Sequence, residues 1–166
     1  MLQPVHCSDD KPVPSTEVTL YRFAAQPDVL PEMLAQLETL CQPCEQHLRF
    51  RAMTAMEELF TNFILHSGER SKKKSSQHAV ADAGTLGFSV RASVDALSIH
   101  YQDDGPAFNP FEGLEAASSH IHLPVADRPI GGLGRLLVSR LADTACYSRQ
   151  HPLNCIDLEF VRRAAF

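Results

Sequence analysis

LGFSVRASVDALSIHYQDDG, residues 86–105, decides the fold. Leu86, Phe88, Val90, Ala92 and Val94 alternate with Gly87, Ser89, Arg91 and Ser93, the period of two that marks a half-buried strand. A short turn at Asp95–Ala96 leads into a second alternating run, Leu97 to Asp103, so the two segments pair as an antiparallel hairpin. In that second run Leu97, Ile99, Tyr101 and Asp103 point one way, and Ser98, His100, Gln102 and Asp104 the other. Asp103 therefore closes the apolar face, where a carboxylate is unfavourable unless something donates to it. An ionised Asp only accepts hydrogen bonds, so an exocyclic amine suits it. Gly105 permits close backbone approach or a positive φ. The same Asp-Gly also reads as an ordinary strand-ending turn.

Upstream of the hairpin, Thr16 to Phe23 is rich in strand formers. A helix follows Pro27 and runs to about Cys41, with Leu30, Met33, Leu34, Leu37 and Leu40 at helical spacing. A second helix is expected over Leu48 to Ser67, then a polar linker over 69–84. Downstream, no period is sustained from Gly105 to Gly131, a length that is usually functional or disordered in a compact domain. A helix at about Gly132 to Ala142 and strands near 144–149 and 154–162, turning at His151–Pro152, complete the order. Helices grouped against such strands make an α+β two-layer sandwich: a mostly antiparallel mixed sheet covered on one face by three helices. Residues 1–15, Pro-rich and polar, are expected to form a flexible tail to a single domain at 16–166.

The 166 residues suffice for one core, and 44% apolar content is ordinary for a globular chain. A net charge of −5 argues against binding a nucleic-acid backbone. The one basic run, Arg70 with Lys72, Lys73 and Lys74, reads as a solvated loop. The start lacks the basic and apolar regions of a signal peptide, and no apolar run could span a bilayer. Five cysteines, an odd number, fit a reducing, cytoplasmic setting. Cys41 and Cys44 form a CxxC, but it follows a helical pattern, and no second pair completes a zinc site. Buried thiols near a helix end are the simpler reading. His120 and His122 lie in a polar loop with no third ligand nearby.

Two further stretches bear on chemistry. In EELFTNFILHSG, residues 57–68, Ala52, Met53, Met56, Leu59, Phe60, Phe63 and Ile64 share one helical arc, and Glu58, Asn62 and His66 stack in a row on the other. A carboxylate one turn from an amide can accept a proton while the amide oxygen ligates a hard cation such as Mg²⁺. A solvated polar face explains the same row, although Leu65 within the polar arc hints that this side is not simply in water. In PIGGLGRLL, residues 129–137, glycines run into a helix, where bare amides can bind anions. It is neither a Walker A loop nor a dinucleotide fingerprint.

Taken in order, Glu-x-x-x-Asn-x-x-x-His on a helix, Asp-x-Gly-Pro-x-Phe ending a strand, a long loop and Gly-Gly-x-Gly opening a helix resemble the GHKL ATPase domain of gyrase-type, chaperone and histidine-kinase proteins. The short layout and the tail GGLGRLLVSRLADTACYSR further resemble the anti-sigma-factor serine kinases of the RsbW and SpoIIAB type. The resemblance covers roughly residues 16 to 162. It implies Glu58 as general base, Asn62 as Mg²⁺ ligand and His66 as lining the nucleotide site. It implies Asp103 as reader of the adenine amine, with Gly105 and Phe108 beside it. Gly131, Gly132, Leu133, Gly134 and Arg135 would hold the phosphates, and residues 106–130 would be the ATP lid, with Arg128 a candidate phosphate contact.

The implied activity is transfer of the γ-phosphate of ATP to a Ser or Thr of a STAS-domain anti-anti-sigma factor, by a homodimer that also sequesters a sigma factor. A non-catalytic nucleotide-binding module with another partner is the alternative. Three residues depart from the pattern: Ala107 where Gly is frequent, Asn109 where Asp is common, and Arg135 where Leu is usual.

Overall fold

The computed structural model describes residues 19–73, 84–114 and 133–162. Five strands form one antiparallel sheet: β1 (Tyr21–Ala24), β2 (Thr85–Ala92), β3 (Ala96–Asp103), β4 (Thr144–Gln150) and β5 (Leu153–Val161). Their order across the sheet is β1-β2-β3-β5-β4. Every pairing among these strands is antiparallel, so the expected mixed character is absent from the described sheet. Three helices accompany it: α1 (Leu30–Leu40), entered through a 3-10 turn at Pro27–Val29, α2 (Gln46–Lys73) and α3 (Leu133–Leu141). The α+β sandwich expected from the sequence is the fold observed.

The expected hairpin forms, with Phe88 opposite Tyr101 and Val90 opposite Ile99, but its turn is Ser93–Asp95 rather than Asp95–Ala96, so Val94 falls outside the strand and is exposed. Leu97, Ile99, Tyr101 and Asp103 are all buried, while Ser98, His100 and Gln102 are not. β5 repeats the rule: Asn154, Ile156, Leu158 and Phe160 face the core. That face meets Met33 and Leu37 of α1, Leu48, Met56 and Phe60 of α2, and Val138 of α3 in one apolar cluster. Each fully buried Leu, Met or Phe contributes about 1.5–3 kcal/mol, so this cluster is what holds the helices to the sheet.

Two expectations about α2 are corrected. The helix does not stop at Ser67 but continues to Lys73, so Arg70, Lys72 and Lys73 are helical rather than in a loop. Ser67-Gly68 only lowers helix propensity, by about 1 kcal/mol at the glycine, and neighbouring turns carry the helix past it. Leu65 is 65% exposed, so its place in the polar arc reflects exposure and not a covered face.

Cys41 and Cys44 are buried free thiols. Burial, reinforced by the neighbouring Cys44, pushes Cys41 up to about 12, and burial also raises Cys44. Thiols held protonated in this way are poor nucleophiles and poor metal ligands, as the reading of buried structural cysteines requires. Among the described residues no helix is long and apolar enough to cross a membrane.

Candidate functional site

α2, the end of β3, the segment that follows it and the start of β5 line one pocket, partly open to solvent. Asn62 and Phe63 of α2 line it, with Tyr101 and Asp103 of β3, Gly105, Pro106 and Phe108 of the following segment, and Asn154 and Ile156 of β5. Four of the residues picked from the sequence, Asn62, Asp103, Gly105 and Phe108, are thus brought together.

Asp103 is 7% exposed, and its partners satisfy one side of the carboxylate. Its Oδ1 accepts from the Gly105 backbone N–H and from Asn154 Nδ2, both at 2.8 Å. Burial raises its pKa above the usual carboxylate range, and these two bonds, with the nearby Tyr101 hydroxyl, oppose the rise. Gly105 is required by proximity: a Cβ there would lie 2.7 Å from Asp103 Oδ1 and 3.2 Å from the Phe63 ring.

Asn154 organises this end of the pocket. Its Nδ2 also donates to the Pro106 carbonyl at 2.9 Å. Its Oδ1 accepts from the Arg149 guanidinium at 2.7 Å, the Tyr147 hydroxyl at 3.0 Å and the Phe108 N–H at 3.2 Å. Arg149 donates as well to the Gly105 carbonyl at 3.0 Å. The cation therefore stands one residue from Asp103 without touching it. The sequence reading missed Asn154, Arg149 and Tyr147. The available signal was a buried-face Asn on an alternating strand, opposite whichever strand paired with it.

Outside the residues that line the pocket, one turn of α2 before Asn62, the Glu58 side chain rests against Gly134. A Cβ at 134 would collide with the Glu58 carboxylate oxygen and lie 3.0 Å from its carboxyl carbon. The glycine at the start of α3 thus makes room for the carboxylate, one helical turn from Asn62. Asn62 Nδ2 is buried with no hydrogen-bond partner, as is the Tyr101 hydroxyl, and both residues line the pocket. Burial of a polar group without a partner is unfavourable and rare in native interiors. Two such groups facing one cavity suit it to a polar ligand.

The departures have local roles. Asn109 Oδ1 accepts from the Phe111 N–H at 3.0 Å, as the commoner Asp would, and Ala107 is exposed, so its Cβ crowds nothing. The Arg135 guanidinium stands 5.7 Å from the Phe108 ring centroid and 3.5 Å from the Glu112 carbonyl, tying α3 to the segment after β3. Gly131, Gly132, Arg128 and the His120–His122 pair lie outside the described residues, as does most of the 106–130 segment. His66 and Leu133 are placed on their helices only by backbone.

No curated protein matches the chain significantly. Residues 23–160, from within β1 to near the end of β5, match the histidine kinase-like ATPase domain. A match of that extent, over a fold whose pocket gathers the acidic, amide and glycine positions, places the chain in the histidine kinase-like ATPase family, whose domain binds nucleotide.

Proposed function

We propose that this protein is an ATP- and Mg²⁺-dependent serine-protein kinase that acts as an anti-sigma factor in a partner-switching module. The observation that carries the reading is Glu58 seated against Gly134, a general base beside the glycine that opens α3. A module that only binds nucleotide has no use for a base there.

Phosphoryl transfer asks mainly for positioning, neutralisation of charge and a proton acceptor. A hydroxyl oxygen of a STAS-domain partner would bond to the γ-phosphorus as the bond to the ADP oxygen breaks, and Glu58 would take the hydroxyl proton. The glycine-initiated α3 offers amides to phosphate oxygens. Asn62 is the residue that would hold Mg²⁺, through its amide oxygen, since Mg²⁺ needs only one or two protein oxygens; its buried, unpartnered Nδ2 would be left to donate to a phosphate oxygen. When bound, the cation would neutralise charge on the phosphates. Asp103 would accept the adenine amine. The partner, not this chain, brings the hydroxyl, so the site is complete only in the complex. The same chain, as a homodimer, would hold a sigma factor when the STAS protein is phosphorylated.

The test is transfer of label from γ-³²P-ATP to a STAS protein from the same cell, with sigma capture read in parallel. Transfer to a serine is expected, and Glu58→Gln should slow it by about 10²–10⁴-fold while ATP binding persists. No labelled STAS protein, with ATP still bound, would reduce the reading to a nucleotide-binding module with another partner.

A further inference from the structure

We infer that the Tyr101 hydroxyl is a base-reading donor: it hydrogen-bonds a ring nitrogen of adenine while Asp103 accepts the adjacent exocyclic amine. This assignment rests on the nucleotide reading of the pocket and specifies how the base is read.

Tyr101 lies two residues before Asp103 on the same face of β3, is 1% exposed, and lines the pocket. Its hydroxyl lies near enough to Asp103 to favour the ionised carboxylate, yet makes no hydrogen bond of good geometry there or elsewhere among the described residues. Among the described residues, the side-chain and backbone donors that meet Asp103 or its partners are occupied. Both hydrogens of the Asn154 amide go to Asp103 and the Pro106 carbonyl. The Gly105 N–H goes to Asp103, and the Phe108 N–H goes to Asn154. Asn62 Nδ2 is the other unpartnered pocket atom, and it belongs to α2 one turn from Glu58, the phosphate end. At the Asp103 end the remaining donor is the tyrosine.

Asp103 and Tyr101 together present an acceptor beside a donor. Adenine presents the complement: an amine that donates, next to a ring nitrogen that accepts. A hydroxypurine places an oxygen acceptor where the amine would be, against the carboxylate. Tyrosine is also a demanding choice for this position, since a phenylalanine would fill the same volume without burying a hydroxyl.

Calorimetry on the full chain with ATP, 1-deaza-ATP and 7-deaza-ATP tests the assignment. For wild type, one of the two deaza analogues should bind about two- to tenfold more weakly than ATP, the loss expected of one neutral hydrogen bond. Tyr101→Phe should lose ATP affinity by a similar factor and show no further loss with that analogue. Its ligand-free melting temperature should equal or exceed that of wild type, because the variant buries no unpaired hydroxyl. Unchanged ATP affinity in Tyr101→Phe would overturn the assignment. So would a deaza penalty that persists undiminished in the variant, since the hydroxyl would then act only through Asp103. The wild-type deaza series needs no variant, and equal affinity for all three nucleotides would also overturn it. Wild type that binds no ATP at all would instead sink the nucleotide reading beneath it.

Discussion

Two polar clusters are buried at opposite ends of β5, and only one of them is saturated. At the far end, Arg51 of α2 is 4% exposed. Its Nε donates to the Leu141 carbonyl at 2.8 Å, one terminal nitrogen to the Val161 carbonyl at 3.2 Å, and the other to Asp143 at 2.7 Å. Asp143 also accepts from the Val161 N–H at 2.7 Å, and the guanidinium lies 5.5 Å over the Phe160 ring. At the near end, Asp103 and Asn154 are also buried, yet the Tyr101 hydroxyl and the Asn62 amide nitrogen make no hydrogen bond of good geometry among the described residues. A cluster that exists to hold elements together satisfies all its members. A cluster that exists to hold a ligand leaves some members for the ligand to satisfy.

The largest effect is expected at Arg51. Arg51→Ala should lower stability by about 3–5 kcal/mol, because it strands Asp143 and two carbonyls that one guanidinium served. A shift in the urea midpoint with an unchanged slope would show this. A loss under 1 kcal/mol would mean that the saturated cluster is not structural after all.

Asp103→Asn should do the reverse. Folding raises the pKa of Asp103, so the native state holds its proton more tightly than the unfolded chain. Stability contributed there falls as pH rises from the ordinary carboxylate range through the raised value. Nucleotide binding needs the carboxylate, so affinity should rise across the same window. The asparagine variant should lose both slopes, melt no lower than wild type near neutral pH, and bind ATP about ten- to a hundredfold more weakly, the share of a charged hydrogen bond. Thermal melts and calorimetry over a pH series give both readings. A variant that is strongly destabilised, yet binds ATP normally, would exchange the roles of the two clusters.

The smallest effect is expected from a third pair, which serves as the exposed control. His100 Nδ1 lies 2.8 Å from Asp157 on the open face of the sheet, and the Asp157 side chain is 60% exposed. The hydrogen bond to Asp157 raises the His100 pKa. Its contribution is therefore complete below the ordinary histidine pKa and is lost as pH rises through the raised value. Asp157→Asn should change stability by less than about 0.5 kcal/mol even at the favourable end, because solvent screens the pair. Melts at pH 5.5 and pH 8.5 measure the difference.

Much of this was legible in the sequence, because periodicity reports which face a residue occupies. Alternation in residues 86–105 placed Asp103 on the buried face, and four-residue spacing placed Glu58 and Asn62 in one row. Periodicity does not report which residue lies opposite. Asn154 reaches Asp103 through the pairing of β3 with β5, a contact between residues 51 apart that neither strand announces alone. Arg149 and Tyr147 are one strand further away and follow only once that pairing is known. Arg51 had a local signal that passed unread: a lone arginine between Leu48 and Ala55 on the apolar arc of α2. The end of α2 was misjudged because a single Gly weakens a helix without ending it.

Asp103 faces Asn154, and a slip of one place would set Cys155 there and turn the asparagine out to the other side of the sheet. Occupancy by ATP is therefore also a proofreading mark, displayed only by molecules whose central strands are threaded correctly. Saturating nucleotide should slow amide exchange along both strands, well beyond the few groups in reach of the base.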